Sequence, residues 1–347
     1  MTETATTVRR TAPGGSARPL TEAYDTALLD LDGVVYAGPN AIGHAVESLA
    51  SARSAGMRLA YVTNNASRPP RVVAAHLTEL GVPAEPADVI NSAQAAARVV
   101  SEKVPAGSKV LVVGGPGLEE ALAERGLVAV RTLAEGPAAV VQGFDASVGW
   151  QHLAEASFAV QSGLPWVASN LDLTVPQARG IAPGNGTLVA AVRAATGVEP
   201  EVAGKPLPPM HRETVLRTGA RRPLVVGDRL DTDIEGAFNG EVDSLLVFTG
   251  VTTAAQLLAA PVEHRPTYLA EDLRGLLVPH AAVTAEPDGG FGCGGWTAVV
   301  QDGELRFTAA GGDRWDGLRA LCAAAWTALD ADGVPVDGRK ALAELGY

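Results

Sequence analysis

Two aspartates, Asp30 and Asp32, end an apolar run in the stretch TALLDLDGVVY at residues 26–36. Along a strand, positions i and i+2 point to the same side, so both carboxylates would face one small space. Their repulsion is costly unless something compensates it, and a divalent cation is the usual compensation. One such carboxylate can attack phosphorus as a nucleophile. The other can protonate a leaving oxygen and later activate water. An exposed strand end followed by a turn would use the same residues without chemistry, so the spacing alone leaves both readings open.

Three further segments carry suitable groups. Tyr61-Val62-Thr63-Asn64-Asn65 offers hydroxyl and amide groups at a strand end, where backbone N–H groups entering a helix also hold anions; the alternative is a helix N-cap. Gly204-Lys205-Pro206 sets a lysine at a sharply defined backbone position, able to neutralise phosphate or to keep a carboxylate ionised. The stretch PLVVGDRLDTDIEGA brings Asp228, Asp231 and Asp233. Hard oxygen ligands at a strand end suit Mg2+, although acidic residues also favour the first turn of any helix. Asp231 is read as a helix cap.

These residues need elements to place them. Short apolar runs (ALLDL, RLAYVTN, KVLVVGG, AAVVQGF, PWVAS, PLVVGD, SLLVF) alternate with amphipathic stretches, including predicted helices over 41–55 and 69–80. Continuous apolar runs with helical crossovers mean parallel strands buried on both faces, hence a doubly wound α/β, Rossmann-like fold. The runs ending at Asp30, Thr63 and Asp228 finish in chemically loaded loops, whereas those of the middle third finish in plain Gly/Pro turns. That pattern divides the chain into a discontinuous core (21–91 and 201–278), an inserted α/β cap (92–200) and a small α+β C-terminal domain (279–347). In the last, TAEPDGGFGCGG reads as a linker, WTAVV and ELRFTA as two strands around Gln301-Asp302-Gly303, and 316–329 as a helix. The stretch VLVVGGPGLEE lacks the full dinucleotide fingerprint and reads as a tight strand-to-helix turn.

The 347 residues carry a formal net charge of −12, which argues against nonspecific nucleic-acid binding. No stretch approaches the roughly 20 apolar residues of a membrane helix. Residues 1–20 have no apolar signal core and read as disordered. Cys293 and Cys322 are the only cysteines, and free thiols in a reducing cytoplasm are expected of them.

In this order the four motifs resemble the haloacid dehalogenase superfamily of phosphatases. The wording DLDGVVY, TNNAS, PGNGTLVAAV, GKPLPPM and GDRLDTDI is similar to the subfamily with a large α/β cap, which includes 4-nitrophenyl, pyridoxal phosphate, phosphoglycolate and glycerol 3-phosphate phosphatases. The resemblance covers roughly residues 24–278. It implies Asp30 as nucleophile, Asp32 as acid/base, and a Mg2+ site of Asp30, Asp228 and the backbone carbonyl of Asp32. Thr63 and Lys205 match the phosphate-binding positions, and Asn64 and Asn65 the loop that contacts substrate. Asp233 matches a supporting position that orients Lys205 or metal-bound water. In the cap, Asn170, Asp172, Thr174 and Arg179 are candidates for substrate selection. His211 stands where the family commonly has an aromatic residue, and no catalytic role is assigned to it.

The pairing of this core with such a tail looks like actinobacterial glycerol 3-phosphate phosphatases, whose tail is similar to part of a GNAT-type acetyltransferase. No acyl-CoA-binding loop pattern occurs in 280–347, so the tail is expected to pack or regulate. The expectation is a cytoplasmic, Mg2+-dependent hydrolase of a small phosphate monoester working through an aspartyl-phosphate, with glycerol 3-phosphate the favoured substrate and a homodimer left open. Phosphoglycolate, pyridoxal phosphate, a nucleotide or 4-nitrophenyl phosphate would use the same chemistry, as would a phosphotransferase. A non-catalytic binding protein is the reading from another class; the full set Asp30, Asp32, Thr63, Lys205 and Asp228 argues against it.

Overall fold

The computed structural model describes residues 10–177, 179–287 and 289–347. The chain packs as two compact units, one of residues 1–59 with 220–347 and one of residues 60–219. The fold is α/β and built on parallel sheets.

In the first unit, strands Thr26–Leu29, Pro223–Gly227, Asp243–Val247 and Tyr268–Ala270 lie side by side in that order, all parallel. Thr26–Leu29 is buried at every position, as a strand covered on both faces must be. The register pairs Leu29 with Val226 and Gly227 with Leu246, so the carboxyl ends of the first three strands are level. The helix expected over 41–55 begins later, at Ala45–Ser54, because Asn40–Ala41 turns back to pair with Tyr36–Ala37.

The tail is more ordered than its sequence suggests. The segment read as a linker forms the hairpin Thr284–Ala285 with Phe291–Cys293, which continues through Trp296–Gln301 and Glu304–Ala309 into a four-stranded antiparallel sheet. Its glycines serve close packing: a Cβ on Gly294 would meet the Asp316 carboxylate at 1.9 Å. Helix Arg314–Asp332, capped by Asp313, covers this sheet and merges with the first unit's core. Leu318, Leu321 and Trp326 cluster with Leu246, Leu257 and Leu269.

Residues 10–20 depart from the disorder expected of them. Arg10 pairs with Asp243 at 2.8 Å, Gly14 N–H donates to Thr267 O at 2.7 Å, and Ser16 and His280 exchange backbone hydrogen bonds. A polar segment that cannot build a core still orders when a neighbouring edge satisfies its backbone groups. The expectation for residues 1–9 lies outside the described residues.

In the second unit, Arg58–Thr63, which enters it from the first, pairs with Val89–Asn91. A five-stranded parallel sheet runs in the order Glu201–Val202, Trp166–Ala168, Ala139–Gln142, Lys109–Val113 and Val128–Val130. The Gly-rich stretch after Val113 is the tight turn its sequence implied. Gly117 N–H donates to Ser67 O, and a Cβ there would meet Ala66 O at 2.3 Å. Glu213, fully buried on helix Pro208–Thr218, gathers Arg98, Arg125 and Arg217 around one carboxylate. Among the described residues, no helix is long and apolar enough to cross a membrane.

Candidate active site

The first unit collects carboxylates where its strands end. Asp30 directly follows Thr26–Leu29 and extends the pairing by one residue, its N–H donating to Val226 O at 2.8 Å. The chain then winds tightly: Leu31 O accepts N–H groups from Val34, Val35 and Tyr36, and Gly33 turns through φ +86°. Asp32 is exposed within this loop. Asp228 follows Pro223–Gly227 and is 2% exposed; Asp233 is 1% exposed in a π-helical turn, Leu230–Ile234. Oxygens of Asp30, Asp228 and Asp233 lie within 4.8 Å of one another.

Three carboxylates so close, two of them buried, repel strongly unless a cation joins them, and an all-oxygen set suits a hard ion such as Mg2+. The surroundings are shaped to keep the carboxylates in place. Val251 N–H holds Asp228 Oδ2 at 2.9 Å, and Arg229 N–H holds Asp233 Oδ2 at 3.2 Å. A Cβ on Gly33 would come within 2.6 Å of Asp228 Oδ2, and one on Gly250 within 1.8 Å. Both glycines therefore keep space around this carboxylate that any larger residue would fill. Thr249 Oγ1 donates to Gly33 O at 2.6 Å, pinning the loop that carries Asp30 and Asp32.

Two sequence expectations are refined here. Asp233, read as a supporting residue, has its carboxylate in the cluster itself. Asp231 is no helix cap: its carboxylate makes paired hydrogen bonds to the Arg229 guanidinium (3.0 and 2.8 Å), which together with the nearby charge holds its pKa below the usual range against the effect of burial. The loop Thr249-Gly250-Val251 went unnoticed. Its signal was available, since the apolar run SLLVF ends in Thr-Gly as the other loaded strands end in small or polar residues.

The second unit carries the neutral and basic groups. Thr63 closes its strand, and its Oγ1 accepts the Asn65 N–H at 3.1 Å. Asn64 differs from its expected role as a substrate contact. Its Oδ1 accepts the Lys205 N–H at 2.8 Å, while Nδ2 donates to Lys205 O at 3.2 Å and to Asp172 Oδ1 at 3.3 Å. The side-chain amide thus clamps the backbone of Lys205, whose Nζ reaches Val62 O at 3.2 Å. Gly204 permits this approach, because a Cβ there would lie 2.6 Å from Asn64 Oδ1. Asn65 is exposed and forms a turn, its Oδ1 accepting from the N–H and hydroxyl of Ser67.

The Asn64 carbonyl is held in turn by Ser92 Oγ at 2.5 Å and Asn170 Nδ2 at 2.7 Å. Asn170, expected to select substrate, is buried and bonded on both sides, its Oδ1 accepting the Asp172 N–H. It is a framework residue. Asp172 is half-buried, Thr174 is exposed at the start of hairpin Thr174–Gln177/Gly180–Pro183, and Arg179 is exposed in the turn joining its strands. His211 is half-buried and its pKa is lowered by burial.

A parallel α/β sheet with carboxylates gathered at strand carboxyl ends, offering an all-oxygen set, fits the metal-binding site of an α/β enzyme. Comparison with known proteins narrows this. Residues 27–128 match the haloacid dehalogenase-like hydrolase model and 202–276 a second model of haloacid dehalogenase-like hydrolases. Residues 293–347 match a GCN5-related N-acetyltransferase-like domain. The chain is 44% identical to a D-glycerol 3-phosphate phosphatase of Mycobacterium tuberculosis, over 91% of this chain and 89% of that one. Acid sugar phosphatase of Staphylococcus aureus is 37% identical over 72% of this chain and 95% of its own. The crystal structure of a glycerol phosphate phosphatase from M. tuberculosis in complex with magnesium superposes with a TM-score of 0.85 at 41% identity, covering 94% and 99% of the two chains. A p-nitrophenyl phosphatase from Archaeoglobus fulgidus gives 0.68 at 28%, covering 73% and 98%. The chain belongs to the haloacid dehalogenase-like hydrolase family and carries a GNAT-like C-terminal domain.

Proposed function

We propose that this protein is a Mg2+-dependent phosphatase that hydrolyses D-glycerol 3-phosphate to glycerol and phosphate. The observation that carries the chemistry is the cluster of half-buried Asp30 with buried Asp228 and Asp233 at the carboxyl ends of parallel strands. The substrate rests on the 44% identity to a glycerol 3-phosphate phosphatase across nearly the whole chain.

Asp30 is the nucleophile. Its carboxylate oxygen attacks phosphorus in line, the bond from phosphorus to the glycerol oxygen breaks, and Asp32 gives its proton to that oxygen. Asp32, now a base, takes a proton from water as the water attacks the aspartyl-phosphate; phosphate leaves and Asp30 is regenerated. The exposure of Asp32 supports its role, since it must exchange protons with the leaving group and with water. Thr63 and Lys205 bind the phosphate oxygens, and Asn64 sets the Lys205 backbone. Asp30, Asp228, Asp233 and the Asp32 carbonyl would hold Mg2+, which when bound neutralises charge on the transferring group. The five-stranded sheet belongs to an inserted cap that chooses the alcohol, with Arg179 and Thr174 as its exposed candidates. A cytoplasmic setting is supported by Cys293 and Cys322, both buried and unpaired.

The test is kcat/KM across D-glycerol 3-phosphate, phosphoglycolate, pyridoxal phosphate, a sugar phosphate and 4-nitrophenyl phosphate, with the Asp30→Asn variant beside the wild type. Glycerol 3-phosphate should lead, and Asp30→Asn should lose turnover by at least about a thousandfold with its fold retained. A flat profile, or preference for the aromatic ester, refutes the substrate; an active Asp30→Asn refutes the mechanism.

A further inference from the structure

The acidic cluster stands at the carboxyl end of the first unit's sheet. At the amino end of the same sheet is a cavity of about 820 Å3, within the range of small-molecule sites. Pro223 and Asp243 open two of its strands, Thr267 precedes a third, and all three line the cavity. Ile234 and Phe238 also line it, on the helical segment that continues from Asp233.

The charge of this cavity runs against that of the chain. In a protein of net charge −12, four arginines face two carboxylates here: Arg10, Arg221, Arg222 and Arg265 against Glu241 and Asp243. Arg265 is neutralised by Asp330, through bonds of 2.7 and 2.8 Å, and Arg10 Nη2 by Asp243. The other terminal nitrogen, Arg10 Nη1, is buried with no hydrogen-bond partner among the described residues. Arg221 and Arg222 bond through their backbone N–H groups to Asp25 Oδ2, whose companion Oδ1 is buried with no hydrogen-bond partner among the described residues. Both side chains are exposed, and among the described residues no hydrogen bond or ion pair engages either guanidinium. Leaving the buried Arg10 Nη1 unpaired is costly, and guanidinium groups are the preferred partners of phosphate and carboxylate oxygens. Tyr24, Phe238 and Val242 add rings and an aliphatic wall.

We propose that this cavity is a second ligand site, remote from the acidic cluster, for a small molecule with a dianionic phosphate-type head and an apolar or aromatic body. Arg221, Arg222 and Arg10 Nη1 take the head, and the apolar wall takes the body.

The test is calorimetric titration of the full-length protein with benzylphosphonate, which has no ester bond to hydrolyse, in EDTA so that the acidic cluster holds no divalent ion. Wild type should bind with a Kd below about 1 mM. Arg221→Ala/Arg222→Ala should weaken binding at least about tenfold while leaving kcat/KM on D-glycerol 3-phosphate with Mg2+ at the wild-type value. Methylphosphonate, the same head without the ring, should bind about tenfold more weakly than benzylphosphonate. No binding to the wild type, or undiminished affinity in the double variant, overturns the site. Equal affinity for the two phosphonates overturns the apolar half of the assignment.

Discussion

Gly250→Ala should weaken the cation site while leaving the fold intact. The added methyl would lie 1.8 Å from Asp228 Oδ2 and 2.4 Å from its Cγ, where carbon and oxygen need about 3.5 Å. One side must move by more than about 1 Å. Asp228 is buried beside Asp30 and Asp233, whereas Gly250 and Val251 are exposed, so the loop yields more readily than the carboxylate. Either movement breaks the Val251 N–H bond to Asp228 Oδ2, now 2.9 Å. A hydrogen bond to a charged group contributes about 1.5–3 kcal/mol, and losing a partner that orients a metal ligand typically lowers metal affinity about 10–100-fold. Gly250 does not adopt a left-handed φ, so the substitution adds no backbone strain and its effect is local. The assay is initial rate against Mg2+ concentration at saturating substrate, with a thermal melt in parallel and Gly43→Ala, a glycine with open space around it, as control. The half-saturating Mg2+ concentration should rise about 10–100-fold, with the maximal rate largely recovered at high Mg2+ and the melting temperature little changed. A half-saturation within twofold of wild type would show that the loop moves without disturbing Asp228, and would refute the reasoning.

Other consequences concern the second unit and the tail. Asn64→Ala removes two bonds to the Lys205 backbone and should lower kcat/KM by about 10–100-fold through misplacement alone; wild-type kinetics would mean that Lys205 is positioned by other contacts. Burial pushes the Glu213 carboxyl up, but Arg98 and Arg217 outweigh it and hold its pKa below the ordinary 4.5. A carboxyl whose folded value is the lower one stabilises fully above the unfolded value and loses that contribution as pH falls through the folded value. Glu213→Gln should thus be less stable by about 3–5 kcal/mol at neutral pH, with the gap in denaturant midpoint closing below pH ~4.5; a gap independent of pH would refute this. Truncation after Val278 should yield a protein that is insoluble or melts without cooperativity, and a soluble, active fragment 1–278 would overturn the packing argument for the tail.

Much of the fold could be read directly, because a strand buried on both faces writes itself as a continuous apolar run, as in LLVF and LVVG. The acidic cluster was also legible in outline, since each carboxylate sits one residue past such a run or in the turn that follows. What escaped depends on partners distant in sequence. Asn64 carries the same amide whether it meets a ligand or a backbone, and only folding brings Lys205, 141 positions away, within 2.8 Å of it. Thr249 bonds to Gly33 across 216 positions. The glycines at 289–295 look like a linker because the crowding that requires Gly294 comes from Asp316, a residue of the following helix.

The tail illustrates how such dependence shapes an entire domain. With about 65 residues it is too small to enclose a substantial core alone, and the structure shows how it avoids having to. Helix Arg314–Asp332 lies between its own antiparallel sheet and the apolar side chains Leu246, Leu257 and Leu269 of the first unit. Hydrogen bonds and an ion pair cross the seam: Trp326 Nε1 donates to Leu257 O at 2.9 Å, Arg319 Nη2 to Leu269 O at 2.7 Å, and Arg265, fully buried, pairs with Asp330, while Arg319 Nε is buried with no hydrogen-bond partner among the described residues. His280 Nε2 lies 2.8 Å from Gly275 O and Nδ1 lies 3.2 Å from Arg319 Nη2, which fixes a neutral ring protonated at Nε2, in keeping with a pKa lowered by burial. A doubly wound sheet must be covered on both faces. The connection following Asp243–Val247 supplies the five-residue helix Ala254–Leu258 and the single 3-10 turn Val262–His264, both short elements beside Leu246 and Leu269. The GNAT-like domain completes that cover, its helix Arg314–Asp332 laying Leu318, Leu321 and Trp326 against Leu246, Leu257 and Leu269.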